Sequence, residues 1–396
     1  MQRAFQDTNN HPSAHLLHGD CIRLLRTLKA NSVDLVCTDP PYGIGFRGQE
    51  WDTFRPGYIA RKKATKQYFA SNADVAGKYS FAPDAAKRFG AFIEQTGREC
   101  WRVLKPGAFL FLTMTPRQDS LARVIVGLED AGFKVSFTSL YWTFSSGFPK
   151  AMNIESLLRR KNAKLPAQAR ALAQAYAGFQ PKPAVEAIVV AMKPLSEKNY
   201  IEQALHDGKG VTWLDATRIP GDPVLIHDAP KGTFAGGAPR KSLRNYRTEN
   251  RGRFPANLLV SGDALGAYSR YFSLDSWAEK TLPFLIVPKA SRREKDHGLL
   301  PTRRARGSRA KPSANPAPGN DHPTVKPLAL MAYLIALGSR PGDLVLDPFL
   351  GSGTTALAAA LLGRRFVGME KEDRYVALAR RRLAACRHDR PARLPA

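Results

Sequence analysis

Apolar and polar residues alternate along the chain in blocks that predict repeated strand and helix units. An apolar run over 14–17 leads to Asp20, a helix N-cap residue, then to an amphipathic helix over 21–29 and a strand over 33–37. The same alternation predicts a helix over 92–104, a strand over 108–112, a helix near 119–131 and strands over 135–144 and 187–191. We expect the strands up to residue 144 to continue one parallel sheet, and 187–191 is a further β-rich run.

The C-terminal region repeats this alternation around a glycine-rich turn. Pro327 stands in the first turn of a helix that ends near Gly338, and a strand follows over 344–346. After the turn, the pattern predicts a helix over 354–362, a strand over 365–369 and a helix over 373–385. The fold class is therefore α/β, with a nucleotide-type binding unit near the C-terminus.

Two segments interrupt the alternation. Residues 46–89 are polar, with basic and aromatic side chains interleaved, and they predict a mobile loop rather than a core element. Residues 194–320 are rich in Gly, Pro and Arg, and we expect the stretches 231–240 and 303–320 to be flexible. The chain is therefore divided at 1–194, 195–320 and 321–396.

Composition points to a polyanionic partner and an intracellular setting. Lys and Arg total 60 against 34 acidic residues, a formal net charge of +26, and basic clusters lie at 240–253 and 292–311. The four cysteines are scattered, so neither a disulfide framework nor a thiolate zinc site is expected. The histidines are too isolated to suggest another metal site, and no apolar run is long enough for a membrane span. We expect a soluble protein.

The glycine turn at 347–355 reads D-P-F-L-G-S-G-T-T and opens a helix directly after a strand. Its glycines allow close backbone approach to a ligand, and helix N-terminal amides favour a carboxylate or phosphate. The G-x-G-x-x-A pattern with Glu370 after the next strand also fits a dinucleotide enzyme, but too few residues follow for a second nucleotide-binding half. A methionine-bearing nucleoside fits better, with Glu370 on its ribose and Asp347 and the turn at its amino-acid end. A tight turn without a ligand is the alternative.

The second motif is D-P-P-Y at 39–42, which follows a predicted buried strand. Open α/β sheets bind ligands at this end of their strands. The Asp39 carboxylate and the Pro40 carbonyl can each accept one hydrogen of an adenine amino group, which makes the nitrogen more nucleophilic, while Pro40 and Pro41 stiffen the backbone. Tyr42 would stack on a flipped-out base. A proline-rich turn with a surface tyrosine is the alternative.

Together these motifs resemble the amino-methylating DNA methyltransferases of the permuted β class, in which D-P-P-Y comes first and an F-x-G-x-G cofactor motif comes last. Phe349, Gly351 and Gly353 match that cofactor motif. The segment H-P-T-V-K-P at 322–327 resembles the one that borders the methionine of the cofactor, and Gly19-Asp20 resembles the position that contacts its adenine. The stretches 143–150 and 188–194 resemble strands on the target-base side. The resemblance covers about two thirds of the chain.

The resemblance implies a circularly permuted Rossmann-like methyltransferase fold that uses S-adenosylmethionine. The catalytic domain would comprise 1–194 and 321–396, with 195–320 as an inserted target-recognition module and linker. The implied catalytic residues are Asp39, Pro40, Pro41 and Tyr42. The implied cofactor-binding residues are Asp20, Thr324, Lys326, Asp347, Pro348, Phe349, Gly351, Ser352, Gly353, Thr354 and Glu370, and no metal is implied.

The expected substrate is adenine N6 in double-stranded DNA, because Asp39 heads the motif where cytosine-N4 enzymes usually carry serine. Cytosine N4 is the alternative. An RNA methyltransferase or a protein-glutamine methyltransferase explains the basic insertion less well, and the latter usually has asparagine at this position. A basic DNA-binding protein that has lost catalysis is a rival of another class, and a nicotinamide oxidoreductase would leave Asp39 unexplained. We expect a cytoplasmic, nucleoid-associated protein of a prokaryotic or phage-infected cell. Relatives in the family are often dimers, so a homodimer is expected only by analogy. The sequence identifies neither a cognate nuclease nor the DNA recognition sequence.

Overall fold

A computed structural model describes residues 14–45, 50–54, 83–145, 152–160, 172, 174–177, 179, 181–227, 246–282 and 320–388. The stretches 231–240 and 303–319, which were expected to be flexible, lie outside these residues, as do the basic cluster at 292–311 and most of the segment 46–89. Within the described ranges, none of the helices combines the length and apolarity needed to cross a membrane.

The described secondary structure alternates between strands and helices, as the sequence pattern predicts. The strands are β1 (Ala14–His18), β2 (Val33–Thr38), β3 (Leu104–Met114), β4 (Leu140–Phe144), β5 (Met152–Asn153), β6 (Tyr176–Ala177), β7 (Val185–Met192), β8 (Val224–His227), β9 (Tyr246–Glu249), β10 (Leu258–Ser261), β11 (Leu344–Asp347) and β12 (Arg365–Glu370). The α-helices are α1 (Cys21–Leu25), α2 (Pro83–Val103), α3 (Gln118–Asp130), α4 (Ile154–Arg160), α5 (Tyr200–Asp207), α6 (Leu274–Thr281), α7 (Leu328–Gly338), α8 (Thr354–Leu361) and α9 (Asp373–His388).

Eight strands form one sheet in the order β1-β12-β11-β2-β3-β7-β4-β10. Neighbouring strands are parallel except around β7, which pairs antiparallel with both β3 and β4. The parallel direction expected for the strands up to residue 144 is confirmed, whereas β7, whose direction the sequence does not predict, is antiparallel to its neighbours. Because the direction of β7 is reversed, its first residues lie at the edge where the neighbouring parallel strands end.

Helices cover both faces of the sheet because successive strand residues point to opposite sides. Leu35 and Cys37 of β2 join the core formed with α6 and α7, whereas Val36 joins the core formed with α1, α2 and α3. Helix α7 is apolar on all sides, and ten of its residues are buried. The α/β class is confirmed, and the arrangement is Rossmann-like, as expected.

The loop expected over 46–89 is wrong at its described ends. Helix α2 begins at Pro83, ahead of the predicted start at residue 92, and Phe89 is 2% exposed. The Phe54 ring lies 5.3 Å from the Phe89 ring and packs against the same core. The first turns of α2, over residues 83–89, were assigned to the loop because the basic and aromatic residues before them give no helical periodicity, whereas the helix expected from residue 92 is confirmed.

Two further boundaries differ from the sequence expectation. Of the strand predicted over 135–144, residues 140–144 form β4. Just before the predicted strand, Lys134 forms an isolated β-bridge to Met192. The segment 195–320 also contributes β10, which pairs with β4 in the central sheet. Part of this segment therefore extends the sheet.

At the edge of the sheet where β2 begins, a buried acid is neutralised by two lysines. Asp34 is 2% exposed, and its Oδ1 lies 2.7 Å from Lys105 Nζ and 2.8 Å from Lys209 Nζ, while Oδ2 accepts the Leu344 amide hydrogen at 2.8 Å. Burial raises the pKa of Asp34, but these donors outweigh it and hold the pKa below its ordinary value. This cluster ties β2 to β11 at the end opposite the pocket described below.

Candidate active site

A cavity of ≈ 1120 Å³ opens where β1, β2, β11 and β12 end. Carboxyl ends of parallel strands are the usual ligand edge of an open α/β sheet. The sequence-predicted residues that line this cavity are Asp20, Asp39, Pro40, Pro41, Tyr42, Thr324, Lys326, Asp347, Pro348, Phe349, Gly351, Ser352, Thr354 and Glu370. Gly353 does not line it and backs onto α9. Folding thus brings residues from both ends of the chain to one pocket.

The glycine turn between β11 and α8 depends on two backbone conformations that favour glycine. Gly351 has φ 54° and Gly353 has φ 88°. A Cβ added at Gly351 would lie 2.8 Å from the His322 ring, and one at Gly353 would lie 2.7 Å from Ala379 Cβ. Both positions therefore require glycine, and the turn presents its backbone to the cavity.

Asp347 ends β11 and is buried beneath the turn. Its Oδ1 accepts hydrogen bonds from Thr38 Oγ1 at 2.6 Å and from the Phe349 amide at 3.0 Å. Burial raises the pKa of Asp347 to about 6, above its ordinary value of 3.8. A carboxylate held in this way would gain from a cationic group entering the cavity.

Glu370 and Asp20 stand at the ends of β12 and β1. Glu370 Oε2 accepts the Gly351 amide hydrogen at 2.9 Å, and its Oε1 accepts the Glu372 amide hydrogen at 2.8 Å. Burial raises the pKa of the Glu370 carboxyl. Asp20 caps α1 by accepting the Arg23 amide hydrogen at 3.0 Å, as the sequence predicts. The two acids therefore frame one side of the pocket while fixing its backbone.

Asp39 accepts hydrogen bonds from several donors on the opposite side of the pocket. Its Oδ1 accepts from Thr113 Oγ1 at 2.6 Å and from the Tyr42 hydroxyl at 3.0 Å. Its Oδ2 lies 2.5 Å from Lys326 Nζ. The carboxylate orientation is therefore fixed by β3, by the D-P-P-Y turn itself and by the segment that precedes α7.

Lys326 and Glu186 complete this cluster. The Lys326 ammonium donates to the Tyr42 hydroxyl at 3.0 Å and lies 3.4 Å from Glu186 Oε2. Burial lowers the pKa of Lys326, but the Asp39 and Glu186 carboxylates outweigh it and raise the pKa above its ordinary value. The ammonium thus contacts D-P-P-Y, whereas the sequence resemblance assigns Lys326 to the cofactor.

His322 borders the glycine turn. Its ring lies edge-on to Tyr375 with centroids 4.4 Å apart, and Nδ1 accepts the Thr324 amide hydrogen at 3.4 Å. Burial lowers the pKa of His322 to about 4, so the ring is neutral at pH 7. A neutral ring hydrogen-bonded at Nδ1 carries its proton on Nε2, which faces Gly351.

Sequence reasoning missed Glu186 and Thr113. Glu186 lies at the start of β7, and it reaches this edge only because β7 is antiparallel to β3, a direction that the sequence does not predict. Thr113 is one of many strand residues, and its contact with Asp39 follows only from the pairing of β2 with β3. Neither residue belongs to a motif that could have singled it out.

The fold and the pocket define an α/β protein that carries a glycine-turn ligand site beside a D-P-P-Y motif. The family profile described as DNA methylase, for N6 and N4 amino methylation, matches residues 33–381. The chain belongs to this family of DNA methyltransferases, whose members depend on S-adenosylmethionine.

Individual relatives match shorter stretches. The chain is 50% identical over 64 residues to the type II methyltransferase M2.DpnII of Streptococcus pneumoniae, covering 16% of this chain and 24% of the relative. It is 47% identical over 68 residues to the DNA adenine methyltransferase YhdJ of Escherichia coli K12, covering 17% of this chain and 23% of the relative. The match thus spans about a quarter of these curated relatives. The solved PvuII DNA methyltransferase, which is cytosine-N4-specific, aligns over 94% of this chain and 87% of its own with 16% identity and a TM-score of 0.46.

Proposed function

We propose that this protein methylates the N6 amino group of adenine in double-stranded DNA, with S-adenosylmethionine as the methyl donor. The observation that carries the proposal is the position of Asp39, whose carboxylate lines the same cavity as the glycine turn. Asp39 at the head of D-P-P-Y favours adenine over cytosine, and the net charge of +26 suits a DNA partner.

The pocket residues fit the proposed cofactor. Substitution of Gly351 would fill the cradle beside His322, which is consistent with a ligand lying against the backbone of the turn. Asp347 would receive the methionine ammonium, because a buried acid with a raised pKa gains from a cation. Glu370 would accept hydrogen bonds from the ribose hydroxyls, and Asp20 would contact the adenine end. Thr324, Pro348, Phe349, Ser352 and Thr354 would line the remaining walls.

The residues of the D-P-P-Y motif would make the target nitrogen nucleophilic. An adenine amino group attacks poorly because its lone pair is delocalised into the ring. Asp39 Oδ2 and the Pro40 carbonyl would each accept one amino hydrogen, which localises the lone pair. Tyr42, whose hydroxyl is tied to Asp39, would stack on the flipped-out base.

Bound S-adenosylmethionine supplies a methyl group on a sulfonium, and transfer to nitrogen leaves a neutral thioether. The new N–C bond forms as the C–S bond breaks, so the nitrogen must shed one proton. Asp39 would be the acceptor of that hydrogen and would pass the proton to water. Positioning of the nitrogen in line with the breaking bond is the pocket's remaining task.

We also propose that the segment 195–320 selects the DNA sequence, while 1–194 and 321–396 form the catalytic unit. Its basic residues would mainly contact phosphates, which sets affinity and salt dependence. Some arginines in this segment form hydrogen bonds within the protein, as Arg251 donates to Glu249 and Asp215. Such paired residues are poor candidates for base readers.

The test is single-molecule sequencing of genomic DNA from cells that express wild type, Asp39→Ala or Asp130→Asn. Asp130 is an exposed acid at the end of α3 and serves as the matched control. We expect methyladenine in one sequence motif with wild type and the control, and none with Asp39→Ala. N4-methylcytosine would overturn the assigned base, and absence of any DNA mark with wild type would overturn the function.

Asp39→Ala should leave cofactor binding within about 3-fold of wild type in calorimetry, because the side chain acts on the target amine. An equal loss of cofactor binding and methylation would contradict this assignment.

A further inference from the structure

Lys326 lies between two acids on the target-amine side of the pocket. Its ammonium is 2.5 Å from Asp39 Oδ2 and 3.4 Å from Glu186 Oε2. All three side chains are buried or nearly so, with exposures of 9% for Lys326, 16% for Asp39 and 21% for Glu186. The ammonium is therefore within reach of either carboxylate and is held more closely by Asp39.

This contact conflicts with the task of Asp39 in amino methylation. Asp39 Oδ1 already accepts from Thr113 and Tyr42, and a carboxylate oxygen offers about two acceptor positions. Oδ2 is thus the oxygen left for the amine hydrogen, yet it faces the ammonium. A cation held there competes with the amine and weakens the acceptor. Some group must take the ammonium when the base enters.

Glu186 is placed to do so. It is the second residue of β7 and lines the cavity because this strand is antiparallel to β3. A lysine side chain is flexible and offers three donors, so a shift from 3.4 Å to about 2.8 Å from Glu186 needs only a small rotation. With two carboxylates and one ammonium, the cluster keeps one negative charge for a nitrogen that becomes positive during transfer.

We propose that Glu186 is a positioning residue that draws the Lys326 ammonium away from Asp39 when the target amine enters, leaving Asp39 Oδ2 free to accept the amine hydrogen. This inference rests on the proposed amino methylation. It assigns to Lys326 a role beside the target base, and it gives the antiparallel strand β7 a part in the chemistry.

A simpler role for Glu186 must be separated from this one. The Tyr42 hydroxyl, which donates to Asp39 Oδ1, also lies 3.1 Å from Glu186 Oε2, and its single hydrogen can be donated to either carboxylate. Glu186 could therefore act only by holding the stacking ring. The variant Tyr42→Phe removes that hydrogen bond and keeps the aromatic face. In this background Glu186 keeps its contact with Lys326 and loses its contact with the hydroxyl, while Asp39 and Lys326 each lose their own hydrogen bond to that hydroxyl.

The experiment measures kcat, DNA KM and cofactor affinity on duplex DNA that carries the motif found by sequencing with wild type. Glu186→Gln should lower kcat by about 10- to 100-fold, the effect of one charge-assisted hydrogen bond, and leave KM and cofactor affinity within about 2-fold. Glu186→Asp, which keeps the charge, should recover much of kcat. The exposed Glu129→Gln is the matched control and should behave as wild type.

The loss caused by Glu186→Gln should persist in the Tyr42→Phe background. If it vanishes there, Glu186 acts through the tyrosine hydroxyl and the inference is wrong. Unchanged kcat in Glu186→Gln, or a parallel loss of cofactor affinity and thermal stability, would also overturn it. Failure of wild type to methylate DNA would instead overturn the proposed function, so the two failures are distinguishable.

Discussion

Replacing Asp347 with asparagine should stabilise the ligand-free protein at neutral pH while weakening cofactor binding. The wild-type carboxyl is 3% exposed, and burial raises its pKa from 3.8 to about 6. This rise corresponds to about 3 kcal/mol of unfavourable free energy when the group is ionised, at about 1.4 kcal/mol per pH unit. Asparagine keeps an oxygen to accept from Thr38 and Phe349 and carries no charge.

The sign of the pH dependence follows from the raised pKa. At about pH 3 the carboxyl is protonated in the folded and unfolded protein alike, so it contributes nothing to the pH slope. As the pH rises from 3.8 to about 6, the unfolded chain loses the proton while the folded protein keeps it, and stability falls. Above this range the full penalty of about 3 kcal/mol applies.

Urea unfolding of wild type and Asp347→Asn between pH 4.5 and 7.5 checks this prediction. The stability difference should widen in favour of the variant by about 2 kcal/mol across that range, because all other groups titrate equally in both proteins. Calorimetry at pH 7.5 should show cofactor affinity reduced by at least about 10-fold, since the methionine ammonium would lose the partner proposed for it. A difference that is constant with pH would refute the reasoning.

Three further predictions concern the glycine turn, Glu370 and the ion cluster around Asp34. Gly353→Ala should weaken cofactor affinity by at least about 10-fold in calorimetry and lower the melting temperature, because φ 88° disfavours alanine and the added Cβ would meet Ala379. A variant with wild-type affinity and melting temperature would contradict the requirement for glycine at this position. Glu370→Gln should raise the cofactor Kd by about 10-fold, and an unchanged Kd would remove Glu370 from the cofactor site. Asp34→Ala should lower the unfolding free energy by about 3 kcal/mol in urea, because Lys209 keeps only Asp343; adding Lys209→Met should restore part of it, and additive losses would count against the ion cluster.

Much of the fold was predictable because its strands and helices carry strong local signals. The apolar run of β2, the N-cap Asp20 and the glycines between β11 and α8 each identify an element without reference to distant residues. The helix α2 was only partly predicted, since its first turns follow a segment without periodicity. Strand direction was not predictable at β7, because side-chain alternation is the same in parallel and antiparallel strands.

The sequence by itself determined the two motifs, the α/β class and the basic charge, since each depends on residue type and short-range spacing. Tertiary structure alone decided which side chains meet. It joined Asp39 and Asp347 at one edge of the sheet, although they lie far apart in the chain, and it turned Lys326 towards Asp39. It also brought Glu186 to the pocket by reversing β7. Contacts of this kind depend on strand order and direction, which many residues fix cooperatively through packing and hydrogen bonding.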